Sequence, residues 1–201
     1  VAGPAEVVVS SPVLTIANQL TILRMALVPF LVLALVWGRY GLALVLFLVA
    51  GLTDLLDGLI ARYGRQATAL GATLDPVADK LMLGAAFVVL TWGSGIEVVL
   101  PVWLTVLALS RDVMMIVAVV VVNLTVERRV FVPSFLGKAC TLAQVVVAGL
   151  VIVSNYLGHA LPGLEEVYAV TLALIVGSAT HYVYLASSRK TAKPGAPEQR
   201  P

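Results

Sequence analysis

Four aspartates stand in two closely spaced pairs, Asp54 with Asp57 and Asp75 with Asp79, each inside or beside an apolar stretch. On an insertion scale an aspartate at the centre of a membrane helix costs roughly 2.5–3.5 kcal/mol, and less near the interface. Four of them oppose insertion by up to about 10 kcal/mol unless they are paired or metal-bound. Their spacing supplies a reason for them. Asp54 and Asp57 are three residues apart and Asp75 and Asp79 four apart, so each pair shares one face of a helix. Two antiparallel helices joined by the short 63–74 connection bring both pairs to one membrane depth. Four converging carboxylates form a hard oxygen cage suited to Mg²⁺, Mn²⁺ or Ca²⁺. With no lysine counted inside that cage, one or two divalent cations are the economical counter-charge. Gly58 and Ala61 continue the face of the first pair and let a helix or a ligand approach the backbone. For these two, helix packing alone is the competing reading. Arg62 follows at the mouth of the cage, Gly71 precedes the second pair, and Pro76 suits a first helical turn.

The elements that must carry these residues follow from composition. The chain has 201 residues, 60% hydrophobic and 12% charged, with a mean hydropathy of +1.02. Soluble domains run at roughly 45–50% apolar and about 25% charged. A soluble globular protein, a disordered tail and a basic nucleic-acid-binding module are therefore excluded. The formal charge of +2 identifies no partner, and the single Cys140 excludes an internal disulfide framework and a cysteine zinc cluster. What remains is an integral membrane protein.

About 20 apolar residues cross a bilayer as a helix. Six such stretches are read at about 19–37, 41–62, 75–93, 98–123, 134–157 and 164–187. Period-two alternation is missing, which argues against a β-barrel. The expected fold is all-α, an integral membrane bundle of six transmembrane helices. Orientation follows from arginine and lysine in short loops. Arg62 and Arg65, Arg128 and Arg129, and then Arg189, Lys190, Lys193 and Arg200 fall on one side; the other connections hold Arg39, Glu97, Glu165 and Glu166. Both termini and the acid cage are thereby expected on the cytoplasmic side of a cell (inner) membrane. Residues 1–189 are read as a single domain, opening with a short interfacial segment near Val7–Asn18, and 190–201 as a flexible cytoplasmic tail. The N-terminus shows no initiator Met and no signal-peptide pattern.

The run Asp54-Leu-Leu-Asp57-Gly58-Leu-Ile-Ala61-Arg62, then eight residues, Gly71, three residues, Asp75, three residues and Asp79 resembles the signature of the CDP-alcohol phosphotransferases. All eight defined positions match, and the resemblance extends from Asn18-Gln-Leu-Thr-Ile-Leu-Arg24 through the last span. It implies a six-helix membrane enzyme, commonly a homodimer, in which an acceptor hydroxyl displaces CMP from a CDP-linked lipid such as CDP-diacylglycerol. Carried over residue by residue, it makes Asp54, Asp57 and Asp75 ligands of two divalent cations, Mg²⁺ or Mn²⁺. Asp79 becomes the base and a further ligand, and Gly58, Ala61, Arg62 and Gly71 line the nucleotide site. Two metals about 3.5–4 Å apart suit a diphosphate and an in-line displacement. Asp79, one turn beyond Asp75, suits an incoming hydroxyl.

Two features bear on the acceptor. Ser110-Arg111-Asp112 lies within the fourth span, and Gly137-Lys138-Ala-Cys140-Thr141 opens the fifth. Arg111 and Lys138 gain a purpose from a phosphate-bearing acceptor alcohol. The alternatives are that Arg111 pairs with an acid of the cage and that Lys138 marks the interface. Asp112 points about 100° away from Arg111 around a helix, so its pairing with Arg111 is left open. Phosphatidylglycerophosphate synthases of this family commonly show Ala-Arg-Glu and Gly-Lys-x-Lys-Thr here. Asp112 and Cys140 depart from that pattern. The runs Ala50 to Arg62 and Ser110 to Ile116 look more like cardiolipin synthases. Phosphatidylglycerol is accordingly favoured as acceptor, with glycerol 3-phosphate as the alternative.

His159, His181, Trp37, Trp92, Trp103 and Cys140 are assigned structural or interfacial roles. A divalent-cation transporter is the rival of another class, but it calls for a polar path across the bilayer, whereas the acids cluster at one end.

Overall fold

The computed structural model describes the backbone of residues 16–64, 69–125 and 135–188, and side chains within 19–54, 80–117 and 136–180. Among them are six α-helices and no strand: α1 (Ile16–Val36), α2 (Tyr40–Gly64), α3 (Ala69–Trp92), α4 (Val102–Thr125), α5 (Phe135–Leu157) and α6 (Leu164–Ser188). Each apolar stretch of the sequence is one helix. The segments 1–15 and 189–201, which include nearly all of the expected interfacial segment and the tail, lie outside the described residues.

Two boundaries differ from expectation. α3 begins at Ala69 rather than near 75, so Pro76 lies inside the helix and not in its first turn. An interior proline removes one backbone donor, which apolar membrane-type helices tolerate. α1 carries another, Pro29. α4 begins at Val102 rather than 98, because Pro101 disfavours helical geometry at Leu100. The side chain of Asn155 also holds the preceding segment. It accepts from the backbone N–H of Glu97 and Val98 at 3.0 and 3.1 Å, and donates to the carbonyls of Val98 and Val151 at 2.9 Å each.

The described residues group into two compact units, one within Val1–Pro101 and Ala148–Leu161, the other within Val102–Val147 and Pro162–Pro201. In the first, α1 packs against both α2 and α3. Its buried stripe is Thr21, Arg24, Leu31 and Leu35; α2 presents Ala43, Phe47 and Ala50, and α3 Leu83, Phe87 and Leu90. These recur at steps of three, four or seven residues, the period of one helix face. The turn between α1 and α2 is short because Gly38 adopts φ +67°. There the Arg39 N–H donates to the Ala34 carbonyl at 2.8 Å and the Gly38 N–H to the Leu35 carbonyl at 3.1 Å, closing the exposed carbonyls of the last helical turn.

In the second unit α4 packs against α6. The buried residues of α6 run Leu164, Tyr168, Thr171, Ile175 and Ser178, alternating steps of four and three; those of α4 are Leu104, Thr105, Ala108, Arg111 and Asp112. Several hydroxyl side chains in these apolar helices are satisfied locally. Thr91, Ser154 and Thr171 donate to the carbonyls four residues earlier, Phe87, Leu150 and Val167, at 2.7–2.8 Å.

Among the described residues two helical stretches, Gln19–Val36 and Leu136–Leu157, are long and apolar enough to cross a membrane, and Tyr40–Asp54 and Lys80–Trp92 are shorter apolar stretches. Phe30, Leu48, Val106 and Val176 are among many large apolar side chains left exposed.

Candidate functional site

The buried stripe of α2, Ala43–Phe47–Ala50, continues at helical spacing to Asp54, and that of α1 runs through Arg24. Where the two meet, Arg24 Nη2 lies 3.2 Å from Asp54 Oδ1. The side chains differ in access: Arg24 is fully buried, whereas Asp54 keeps 46% of its side-chain surface exposed. A buried guanidinium stays charged and requires an anion beside it. Asp54 supplies that anion through one oxygen while its side chain stays open to solvent.

Asp57 stands three residues on from Asp54 within α2, together with Gly58, Ala61 and Arg62; Gly71, Asp75 and Asp79 all fall within α3. The side chains of these seven residues lie outside the described residues. Both helices that carry the acids pack on α1, and so α1 is the element common to the two halves of the motif. Among the described side chains no three of His, Cys, Asp and Glu converge. Asp54 by itself fits a hard divalent cation: it is a carboxylate, partly exposed, with one oxygen engaged at 3.2 Å.

Arg24 was not among the expected site residues. The signal for it was present in the sequence, as an arginine within the apolar run 19–37. Of the two ways expected to offset the acids, pairing or metal binding, pairing is seen at Asp54, which a built-in cation already faces.

The second set of expected residues forms a separate cluster in the second unit. Arg111 is buried, and its Nη1 donates to Asp112 Oδ1 at 2.8 Å. Its Nη2 donates to the Gly137 carbonyl and to Ser178 Oγ, each at 3.2 Å. The question left open for Arg111 and Asp112 is thus settled: neighbours in sequence do pair, because the long arginine side chain folds back to reach its neighbour. The bond to Gly137 brings Arg111 to the residue that precedes Lys138, itself exposed near the start of α5. Arg111 Nε and both ends of the Gln144 amide are buried without a hydrogen-bond partner among the described residues. Ser178 and Gln144, like Arg24, were not anticipated.

The residues given structural roles sit accordingly. Cys140 is buried and in no disulfide. Trp37, Trp92 and Trp103 are exposed at or next to helix ends. His159 is exposed, with Nδ1 3.3 Å from the Ala160 carbonyl. The His181 side chain lies outside the described residues.

Among the described residues the chain is all-helical, with the paired acids of its motif divided between α2 and α3. Residues 14–183 match the family described as CDP-alcohol phosphatidyltransferase, and the chain belongs to that family. It is similar to the human "Cardiolipin synthase (CMP-forming)", 45% identical over 106 residues that make up 52% of this chain and 34% of the human one. It is also similar to the "Probable phosphatidylglycerophosphate synthase" of Mycobacterium tuberculosis, 40% identical over 142 residues, 67% of this chain and 64% of that one. The "Cardiolipin synthase (CMP-forming)" of Streptomyces coelicolor is 35% identical over 152 residues, 71% of this chain and 67% of that one. The chain thus spans about a third of the human relative's length and just under two thirds of the mycobacterial one.

Proposed function

We propose that the chain is a metal-dependent phosphatidyltransferase, embedded in a cell (inner) membrane as six transmembrane helices with its site on the cytoplasmic side. It transfers phosphatidyl from CDP-diacylglycerol to the hydroxyl of phosphatidylglycerol and releases CMP. The observation that carries this reading is the eight-residue motif divided between α2 and α3, inside a family match that covers residues 14–183. Exposed apolar side chains along the helices support a lipid surface. Family membership favours a transferase over a cation transporter. The domain is read as 1–189, with 190–201 as a tail, and the working unit as a homodimer.

Asp54, Asp57, Asp75 and Asp79 are the residues that would hold two divalent cations, Mg²⁺ or Mn²⁺. Such ions, when bound, neutralise a diphosphate and the charge that develops on a departing phosphate. Asp79 takes the proton of the acceptor hydroxyl as that oxygen attacks the phosphorus of the phosphatidyl group and the bond to CMP breaks. Gly58, Ala61 and Gly71 leave space for the cytidine nucleotide, and Arg62 pairs with its phosphate. Arg111 and Lys138 engage the phosphate of the acceptor. In support, Arg111 keeps Nε unengaged beside the N-terminal end of α5, where Lys138 is exposed.

Glycerol 3-phosphate is the second reading, favoured by the similarity to the relative named a probable phosphatidylglycerophosphate synthase. Product analysis by mass spectrometry decides between them. Purified protein given CDP-diacylglycerol, both acceptors and Mg²⁺ is expected to form cardiolipin. Formation of phosphatidylglycerophosphate alone would transfer the assignment to glycerol 3-phosphate.

A further inference from the structure

A charged pair in an apolar setting contributes little to stability, and well-packed apolar residues in its place are often as stable or more so. The Arg24–Asp54 pair therefore calls for a reason other than holding α1 to α2. Arg24 belongs to a buried stripe with Thr21, Leu31 and Leu35, so packing on all sides fixes where its guanidinium lies. Asp54, by contrast, is nearly half exposed, and an exposed carboxylate ordinarily rotates freely. The 3.2 Å contact to Arg24 restrains one of its oxygens and so fixes the direction of the other. A carboxylate that must ligate a metal gains from this restraint, since hydrogen bonds to ligating groups set their orientation and are worth about 10–100-fold in metal affinity or activity.

We propose that Arg24 is a positioning residue, a buried cation on α1 that holds the Asp54 carboxylate in the orientation needed for divalent-cation binding. The inference rests on the reading of Asp54 as a metal ligand and extends it to a third helix. α1 packs on both motif helices, so the residue that aims the first acid sits on the element common to them. Arg24 acts through Asp54. A lysine in its place keeps the charge but loses the planar fork that restrains a carboxylate.

The test is Mn²⁺ binding, read as free Mn²⁺ by electron paramagnetic resonance, with the full chain in nanodiscs and no lipid substrate. Arg24→Gln is expected to bind Mn²⁺ about 10–100-fold more weakly than the parent while keeping its helical circular dichroism. In an Asp54→Asn background the same change is expected to cost far less, because its effect runs chiefly through that carboxylate. A purely structural role would give equal losses in both backgrounds and a lowered melting temperature. Parent-like affinity in Arg24→Gln, or full additivity in the double variant, overturns the proposal. Should Arg24→Gln fail to fold, Arg24→Lys serves in its place, with weakened binding expected and parent-like binding overturning the proposal. Unchanged affinity in Asp54→Asn alone would remove Asp54 as a ligand, a separate failure that takes the Arg24 proposal with it.

Discussion

Among the described residues two buried arginines stand beside aspartates, and the pairs are built differently. Arg24 reaches across from α1 to Asp54 on α2 at 3.2 Å, and the acid keeps 46% of its side-chain surface open. Arg111 turns to its own sequence neighbour Asp112 at 2.8 Å, and that acid retains only 12%. The second arginine is also tied to Gly137 and Ser178. An acid with an open side can take a further ligand, whereas an enclosed acid is consumed by its partner. The difference separates a carboxylate available for chemistry from one that fixes a cation in place. It also accounts for the absence of Asp112 from the proposed ligand set although it too lies within an apolar helix.

Four substitutions break or sharpen this contrast. The largest effect is expected on turnover: Asp79→Asn should lower CMP release by about 10²–10⁴-fold, the usual worth of a positioned base. Fold and much of the Mn²⁺ binding should be retained, and full activity would remove Asp79 as the base. The two pairs should then respond in opposite order to loss of their acids. Asp112→Asn leaves Arg111 buried without its carboxylate and should cost about 3–5 kcal/mol of stability, read as a lowered midpoint of thermal unfolding. Asp54→Asn, with its acid half exposed, should cost less, about 1–3 kcal/mol, yet depress metal-dependent activity more than Asp112→Asn does. If Asp54→Asn proves the more destabilising and the less inactivating, the contrast between the pairs is wrong. The smallest effect is expected of Ser178→Ala, which removes one of three bonds to Arg111 and should cost about 1 kcal/mol in the same unfolding measurement.

Much of this was legible in the sequence, and the exceptions have physical reasons. Apolar run length marked all six helices, since a 20-residue hydrophobic stretch has few other uses. The start of α4 was misplaced because a hydrogen-bond clasp from Asn155, more than fifty residues away in the chain, holds 97–98 in irregular geometry. The start of α3 was misplaced because proline is a weaker boundary in apolar helices than in soluble ones. The acids stood out because each carries a large insertion cost. Arg24 carries a comparable cost and was overlooked, since it pairs with a residue thirty positions away that no local spacing rule connects to it. The Arg111–Asp112 bond was undecidable from helical angle alone, because side-chain length and rotamer, not backbone direction, close a gap between neighbours.

The central claim is that carboxylates on α2 and α3 carry metal-dependent phosphatidyl transfer. It is tested most directly by following CMP release from CDP-diacylglycerol and phosphatidylglycerol with the purified full chain, before and after chelation. The expected result is CMP formed in step with cardiolipin, lost on chelation and restored by Mg²⁺ or Mn²⁺. CMP release that chelation leaves undiminished, or no release with any alcohol acceptor, would contradict the claim.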